Sequence, residues 1–167
     1  MLIILGGLPA SGKTTIAIAL AKRLGAVHVR VDTIEQALRS SGMLAKDEGP
    51  AGYMAAYGIA GDNLAVGRTV IADSVNAFEI TREAWRSVAR RAGVPAVEVE
   101  IFCSDKAEHR RRAESRPTDV PGLVKPDWDR IAGRTYEDWG PGPLRLDTAL
   151  MPAEDCVLWL TEQVTRR

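Results

Sequence analysis

A glycine-rich loop between an apolar run and a helical stripe is the feature that most constrains the fold of this chain. Residues 2–5, Leu-Ile-Ile-Leu, predict a short strand buried on both faces of a parallel sheet. The loop from Gly7 to Thr14 matches the pattern GxxxxGK[ST] in full, and an apolar stripe from Lys13 to Leu24 predicts a helix that ends at Gly25. This order of strand, loop and helix predicts an α/β protein with a phosphate-binding loop.

The residue types of the loop suit the phosphates of a nucleotide. Glycines let successive backbone N–H groups face one centre, where the helix adds the positive end of its dipole. Lys13 would reach the β- and γ-phosphates, and the Thr14 hydroxyl would bind Mg²⁺. We therefore expect ATP or GTP as ligand; a glycine-rich turn that binds nothing is the alternative. The expected cofactor-binding residues are Gly7, Pro9, Ala10, Ser11, Gly12, Lys13, Thr14 and Thr15.

Strands and helices alternate along the rest of the chain, which predicts a parallel sheet with helices on both faces. Further strands are expected at 26–31, 69–72, 97–102 and 144–146, and further helices at 32–41, 51–67, 81–92, 104–116, 128–136 and 152–164. Thr33 and Gln36 are spaced as a capping box, and Ser104 is the expected cap of its helix. The segments 42–50 and 117–126 are expected to be loops. Ligands of such sheets bind at the carboxyl ends of the strands.

The composition is that of an ordinary globular protein, with 167 residues of which 46% are hydrophobic and 26% charged. This length predicts a single domain over 1–167. The 22 basic and 22 acidic residues balance, so no overall field attracts nucleic acid or an anionic membrane. Cys103 and Cys156 are expected to be buried thiols. Because no signal peptide or membrane span is recognisable, we expect a soluble, cytoplasmic protein without a membrane partner.

Two carboxylates follow predicted strands. Asp32 follows the second strand, where it could accept the proton of an acceptor hydroxyl, or it could cap the following helix with Thr33. Asp73 ends the third strand, where it could hold the Mg²⁺ water shell, or it could initiate a turn.

Arginines precede a proline-rich loop from Pro117 to Pro126, which the sequence predicts to be a mobile lid. Arg112 and Arg116 are spaced i,i+4 and would share a helix face, from which they could close over the transferring phosphoryl group. Together with Arg110 and Arg111 they could instead form a solvated face that pairs with Glu108 and Glu114.

Several other side chains could have structural roles. Tyr53 and Tyr57 are i,i+4 neighbours that could line an acceptor pocket, although core packing is the alternative for both. His28 and His109 are expected to be structural. The four tryptophans are expected to belong to the core.

With these residues placed, the sequence from Leu2 to about Trp139 resembles the small P-loop kinases related to polynucleotide 5′-hydroxyl kinase, chloramphenicol phosphotransferase and zeta-toxin kinases. The resemblance is carried by the phosphate loop, the segment Val31-Asp32-Thr33, the DxxN sequence from Asp73 to Asn76, and the paired arginines. It implies a three-layer P-loop NTPase fold with a five-stranded parallel sheet in the order 2-3-1-4-5. Helices would cover both faces, and residues of about 105–126 would form a small lid.

The resemblance also implies roles for individual residues. Lys13, Asp32 and Arg112 or Arg116 would be catalytic, with Asp32 as the general base. Thr14 would serve the metal with Lys13 on the phosphates, Asp73 would line the cleft beside the acceptor, and Val120-Pro121 matches a valine-proline that packs on the acceptor base. From the residues themselves, we expect Asp73 to serve the metal as well. We also expect the acceptor pocket to lie between the helix of Tyr53 and Tyr57, the segment from Asp73 to Asn76, and the lid. Glu35 departs from the polynucleotide kinases, which have a basic residue shortly after the general base.

The sequence therefore favours an Mg²⁺- and ATP-dependent phosphotransferase whose partners are ATP and a small hydroxylated acceptor. A nucleic-acid 5′-hydroxyl is the alternative acceptor, which zero net charge and Glu35 disfavour. The third hypothesis is a nucleotide-binding switch without catalysis, which the absence of recognisable switch chemistry in 74–80 and 117–126 disfavours.

Overall fold

The computed structural model describes residues 1–42 and 49–166. Its sheet has five parallel strands in the order β2-β3-β1-β4-β5, which confirms the expected topology. The strands are β1 Leu2–Gly6, β2 Val27–Arg30, β3 Val70–Asp73, β4 Ala96–Phe102 and β5 Leu144–Asp147. Most of the predicted loop 42–50 lies outside the described residues.

Helices cover both faces of this sheet. They are α1 Lys13–Leu24, α2 Val31–Ser40, α3 Ala51–Ala65, α4 Glu79–Arg91, α5 Lys106–Ser115, α6 Trp128–Ala132 and α7 Ala153–Thr165. One core cluster joins α1 and α7 to Ile3 and Leu5, and a second joins α3 and α4 to Leu2 and Ile4. Both cysteines are buried free thiols, as expected. Among the described residues, no helix combines the length and apolar character needed to span a bilayer.

The predicted caps of α2 and α5 and the predicted end of α6 were wrong. Helix α2 is capped at Arg30 and begins at Val31, so Thr33 and Gln36 form no capping box, and Gln36 donates to the Ser40 hydroxyl instead. The cap of α5 is Asp105, whose side chain accepts from the N–H groups of Ala107 and Glu108, whereas the predicted cap was Ser104. Helix α6 ends at Ala132 because Gly133 caps it, four residues before the predicted end at 136.

Arg82 ties α4 to the segment that follows α6. Its guanidinium is 2% exposed and donates to the backbone oxygens of Asn76, Glu137 and Asp138 at 3.1–3.2 Å. It also lies 4.9 Å from the ring centre of Trp139. That ring fills the space beside Gly6, where an added Cβ would lie 2.0 Å from it. Arg82 therefore fixes the chain around the end of β1, where the phosphate loop begins.

Replacing Arg82 by methionine is expected to lower the free energy of unfolding by about 3 kcal/mol, because three carbonyl oxygens would lose their buried charged donor. Chemical denaturation measures this loss. The matched control is Arg91→Met, since Arg91 is exposed on the same helix and its guanidinium donates to the Ser87 hydroxyl at 2.8 Å. Equal stability of the two variants would contradict the structural role of Arg82.

Candidate functional site

The phosphate loop turns tightly between β1 and α1. Gly7 and Gly12 have φ values of 145° and 98°, in the region that favours glycine. A Cβ added at Gly7 would lie 1.9 Å from the backbone oxygen of Ile101, so only glycine fits there. Gly12 is the N-cap of α1 and has no side chain to cover the helix start. The first N–H groups of α1 can therefore donate to an anion.

Lys13 is held beside this loop with 8% of its surface exposed, and its Nζ donates to the Leu8 backbone oxygen at 3.1 Å. Burial lowers the pKa of Lys13, while the nearby carboxylates of Asp73 and Asp32 partly oppose the effect. A neutral carbonyl is a weak partner for a buried ammonium. An incoming phosphate would satisfy the charge better, which suits the predicted role of Lys13.

Asp73 lies at the end of β3, beside Leu5 of β1, and is 3% exposed. His28 Nε2 lies 3.1 Å from its Oδ2, and since an ionised carboxylate only accepts, this nitrogen carries the donated proton. Burial raises the pKa of Asp73, but the His28 hydrogen bond and neighbouring Lys13 and Thr14 outweigh it, so the pKa lies below its ordinary value. Asp73 is thus an ionised carboxylate next to the phosphate loop.

These residues fit a magnesium ion. Thr14 and Asp73 offer the hydroxyl and carboxylate oxygens that Mg²⁺ prefers, and they lie close enough for Thr14 to affect the pKa of Asp73. Within residues 1–42 and 49–166, no group of three His, Cys, Asp or Glu side chains could hold a metal ion. The protein would therefore supply few ligands, and phosphates and waters the remainder, as is usual for Mg²⁺ at nucleotide sites.

Asp32 occupies the first turn of α2 and is not its N-cap, so the predicted capping role with Thr33 is wrong. Its side chain is 47% exposed, and its Oδ2 lies 3.7 Å from Nη2 of Arg30. Asp32 lines the same cavity as Lys13, Thr14 and Asp73. The carboxylate is therefore open to a ligand that approaches the phosphate loop.

This cavity, which we call the acceptor cavity, has a volume of about 380 Å³ at the carboxyl ends of β2 and β3. The phosphate loop, the start of α2 and the segment after α5 enclose it. Its lining residues are Pro9, Lys13, Thr14, Asp32, Glu35, Arg39, Gly49, Asp73, Ser74, Val75, Arg116, Leu123, Val124, Lys125, Pro126, Arg130 and Arg134. The position agrees with the expected location of ligands in an open parallel sheet.

The two arginines predicted to be catalytic have different surroundings. Arg112 donates to Glu108 at 2.7 Å and to the hydroxyl and backbone oxygens of Thr148 at 2.9 and 3.0 Å. Arg116 is the C-cap of α5, with extended backbone, and lines both the acceptor cavity and a second cavity of about 210 Å³ beside Gly12 and Thr15. Its buried Nε has no hydrogen-bond partner among the described residues. Arg116 is therefore the arginine with donors left for a phosphoryl group.

Arg110 and Arg111 form the solvated face that was the alternative for the whole group. Arg110 pairs with Glu114 at 2.8 Å and Arg111 with Glu108 at 2.6 Å, and both arginines are more than half exposed. Such surface pairs contribute little to stability.

Arg30 and Asp119 join β2 to the predicted lid. The two Asp119 oxygens accept from Arg30 Nη1 and Nη2 at 2.5 and 3.1 Å, in a bidentate pair. Lys125 Nζ donates to the Arg116 backbone oxygen across the same loop. The segment 116–127 is irregular, as predicted, and lies against the acceptor cavity. The sequence shows no signal for this pair, because 89 residues separate its members.

Asp119→Asn is expected to speed cleavage of this loop by thermolysin about 2- to 5-fold, because it weakens a partly exposed ion pair worth up to about 1 kcal/mol. Arg30 lowers the pKa of Asp119, so the pair stabilises the loop above the ordinary carboxyl pKa and is lost as the pH falls below it. Thr118→Asn in the same loop is the control. Equal cleavage rates of wild type and Asp119→Asn would show that the pair does not hold the loop.

Four predicted acceptor residues lie outside the lining of the acceptor cavity. Tyr57 packs edge-on against Trp85 at 4.6 Å between ring centres, and the Tyr53 hydroxyl accepts from the Asn76 N–H at 3.3 Å. The fully buried Asn76 side chain donates to the Leu5 backbone oxygen at 2.8 Å. Val120 is 8% exposed, and Leu123 and Val124 face the cavity instead. Acceptor contacts by these four residues stay a prediction.

A family model described as an AAA domain matches residues 2–128, which is more than half of the chain. The chain belongs to the AAA domain family. This AAA domain region contains the phosphate loop, Asp32, Asp73, Arg112 and Arg116, and it ends just inside α6. A comparison with curated proteins gave no match.

Three solved structures show the same fold as this AAA domain protein. Kti12 from Chaetomium thermophilum in complex with ADP-AlF3 is 21% identical, with a TM-score of 0.74 over 99% of this chain and 98% of that chain. The Mycobacterium tuberculosis APS kinase CysC with AMPPNP and APS is 18% identical, with a TM-score of 0.70 over 98% and 96%. A gluconokinase from Sinorhizobium meliloti 1021 is 20% identical, with a TM-score of 0.63 over 98% and 94%. The P-loop NTPase fold is thereby confirmed, while the narrower resemblance to polynucleotide kinases stays a prediction.

Proposed function

We propose that this protein is a P-loop kinase that transfers the γ-phosphate of ATP to a hydroxyl of a small molecule. The observation that carries the proposal is the acceptor cavity, in which an open carboxylate, Asp32, shares one space with Lys13 of the phosphate loop. Nucleotide binding alone needs the loop but not a carboxylate facing it. Two of the three structures named above are kinases of small molecules, and two hold nucleotides, which supports the same reading.

The chain's own residues account for the steps of such a transfer. The loop N–H groups and Lys13 hold the phosphates. The hydroxyl oxygen of the acceptor attacks the γ-phosphorus while Asp32 accepts the hydroxyl proton, the bond between the γ-phosphorus and the bridging oxygen breaks, and ADP leaves. Arg116 stabilises the charge on the transferring group. Mg²⁺ held near Thr14 and Asp73 would neutralise phosphate charge. We further propose that 105–126 is the lid of one domain over 1–167, which excludes water during transfer.

The small cavity favours a small acceptor, because its volume is near the lower end of ligand pockets, about 300 to 1,000 Å³. A screen of hydroxylated compounds and a 5′-hydroxyl oligonucleotide with γ-labelled ATP tests the proposal, with Lys13→Ala as the blank. We expect labelled product from a small compound with wild type only. Label on the oligonucleotide alone would make the protein a polynucleotide kinase. Nucleotide binding without transfer to any acceptor would favour a switch.

A further inference from the structure

Positive charge in the acceptor cavity exceeds what the transfer of a phosphoryl group requires. The lining contains six cationic side chains against the three carboxylates of Asp32, Glu35 and Asp73. In the proposed function, the phosphates of ATP engage Lys13 and Arg116, whereas Asp32 faces the acceptor hydroxyl and Asp73 the metal. Nη2 of Arg39 lies 3.5 Å from a carboxylate oxygen of Glu35 on the same helix, so the charges of these two side chains compensate each other.

Three cations remain, one near the end of the proposed lid and two just after it: Lys125, Arg130 and Arg134. Lys125 donates to a backbone oxygen, and no described carboxylate lies within 4.0 Å of its ammonium or of the Arg134 guanidinium. Arg130 has a distant partner, since its Nε lies 4.0 Å from an oxygen of Asp127 and both side chains are more than two-thirds exposed. These three charges therefore have donors available at one cavity.

Arg134 also lies near the inner wall of this region. Burial raises the pKa of Tyr53, and Arg134 is close enough to the phenol to oppose this rise. The Tyr53 hydroxyl contacts the Asn76 N–H, just beyond Asp73, Ser74 and Val75 of the cavity wall. Arg134 is thus placed towards the strand ends although it follows α6 in the chain.

We propose that Lys125, Arg130 and Arg134 form an oxyanion subsite, and that the acceptor is a hydroxylated small molecule bearing a phosphate group. The inference rests on the proposed function and specifies its acceptor. Two guanidinium groups can each offer paired donors to a phosphate, and a dianion matches three cations better than a carboxylate does. Leu123 and Val124 on the same lining would contact the carbon skeleton between phosphate and hydroxyl.

Inorganic phosphate is the probe for this subsite, used after the phosphate loop has been filled with saturating Mg-AMPPNP. The variants are Arg134→Gln and the double variant Arg130→Gln/Arg134→Gln, and calorimetry measures phosphate affinity. We expect phosphate to bind the nucleotide-loaded wild type and to bind about 10- to 100-fold more weakly to each variant, because a charge-assisted contact is lost. Sulfate should bind similarly and acetate more weakly. Arg68→Gln is the control, since exposed Arg68 precedes β3 and therefore lies at the amino ends of the strands, away from the acceptor cavity.

Unchanged phosphate affinity in the double variant, or absence of binding to the loaded wild type, would overturn the subsite. Acetate binding as tightly as phosphate would overturn the phosphate assignment. Failure of the proposed function has different signatures. A nucleotide-binding switch would bind Mg-AMPPNP but transfer no label to any acceptor, and the phosphate titration of the loaded protein would still test the subsite. A protein without a nucleotide site would not bind Mg-AMPPNP at all. If Mg-AMPPNP does not bind, phosphate is titrated into the nucleotide-free wild type and the nucleotide-free double variant. The subsite then requires that the double variant bind one equivalent of phosphate fewer than wild type.

Discussion

Replacing Lys13 by alanine is expected to abolish phosphoryl transfer and to remove the rise in Tm that Mg-ATP produces in wild type. The ammonium is the only side-chain cation that the phosphate-loop pattern itself supplies, and it lies buried next to the loop. The free variant should be at least as stable as wild type near neutral pH, because burial lowers the pKa of Lys13 and its charge therefore opposes folding. This advantage should disappear above the ordinary lysine pKa, where Lys13 is neutral in both states.

Thermal unfolding with and without Mg-ATP measures both effects. Lys22→Ala is the matched control, because Lys22 is exposed on the last turn of the same helix. A rise in Tm with ATP as large in Lys13→Ala as in the control would refute the role of the phosphate loop, since stabilisation by a ligand reports its binding.

Asp32→Asn is expected to lower the rate of transfer by about 10²- to 10⁴-fold, which is the usual contribution of a general base. The amide keeps the size of the carboxylate but cannot accept the proton of the hydroxyl. ATP affinity should change little, because Asp32 faces the acceptor. Stability should change by less than about 1 kcal/mol, since the side chain is 47% exposed and its contact with Arg30 spans 3.7 Å.

Initial rates at saturating ATP, with the acceptor found by the screen, measure this loss. Asp62→Asn on α3 is the control for a carboxylate outside the acceptor cavity. Turnover of Asp32→Asn within a few fold of wild type would exclude Asp32 as the base. Asp73 would then be the carboxylate to replace next.

Local patterns predicted the parts of the fold that neighbouring residues determine. Helix α1 runs from Lys13 to Leu24 as predicted, because the glycine loop starts it and Gly25, at φ 61°, ends it. The start of α2 was less predictable. Asp32 and Thr33 both have capping chemistry, but the chain turns at the end of β2, so Arg30 takes the cap position. Tertiary position outweighed local preference there.

Some residues of the candidate site could likewise be predicted from local patterns, and others could not. Lys13, Thr14 and Asp73 could be chosen as candidates because Asp73 ends a buried strand and the other two belong to the loop pattern that follows one. Leu123 could not, because the proline-rich segment has no periodicity and its path over the sheet depends on contacts such as Arg30 with Asp119. Arg130 and Arg134 could not either, because the place of the helix that follows depends on that path. Arg112 lies near the phosphate loop, but Thr148, which follows β5, accepts hydrogen bonds from both of its terminal nitrogens.

Thr148 contacts the phosphate loop although it lies beyond the residues that match the family. Its hydroxyl lies 2.9 Å from the Ser11 backbone oxygen and 3.1 Å from that of Phe102, and its methyl group lies 3.3 Å from where a Cβ of Gly12 would be. The phosphate loop is thus supported from behind by a residue 20 positions beyond the end of the family match at 128. Strand β5 and helix α7, which complete the sheet and one core, also lie past that point. The match to the family therefore ends before the sheet is complete, and the phosphate loop is contacted by a residue that lies beyond the matched range.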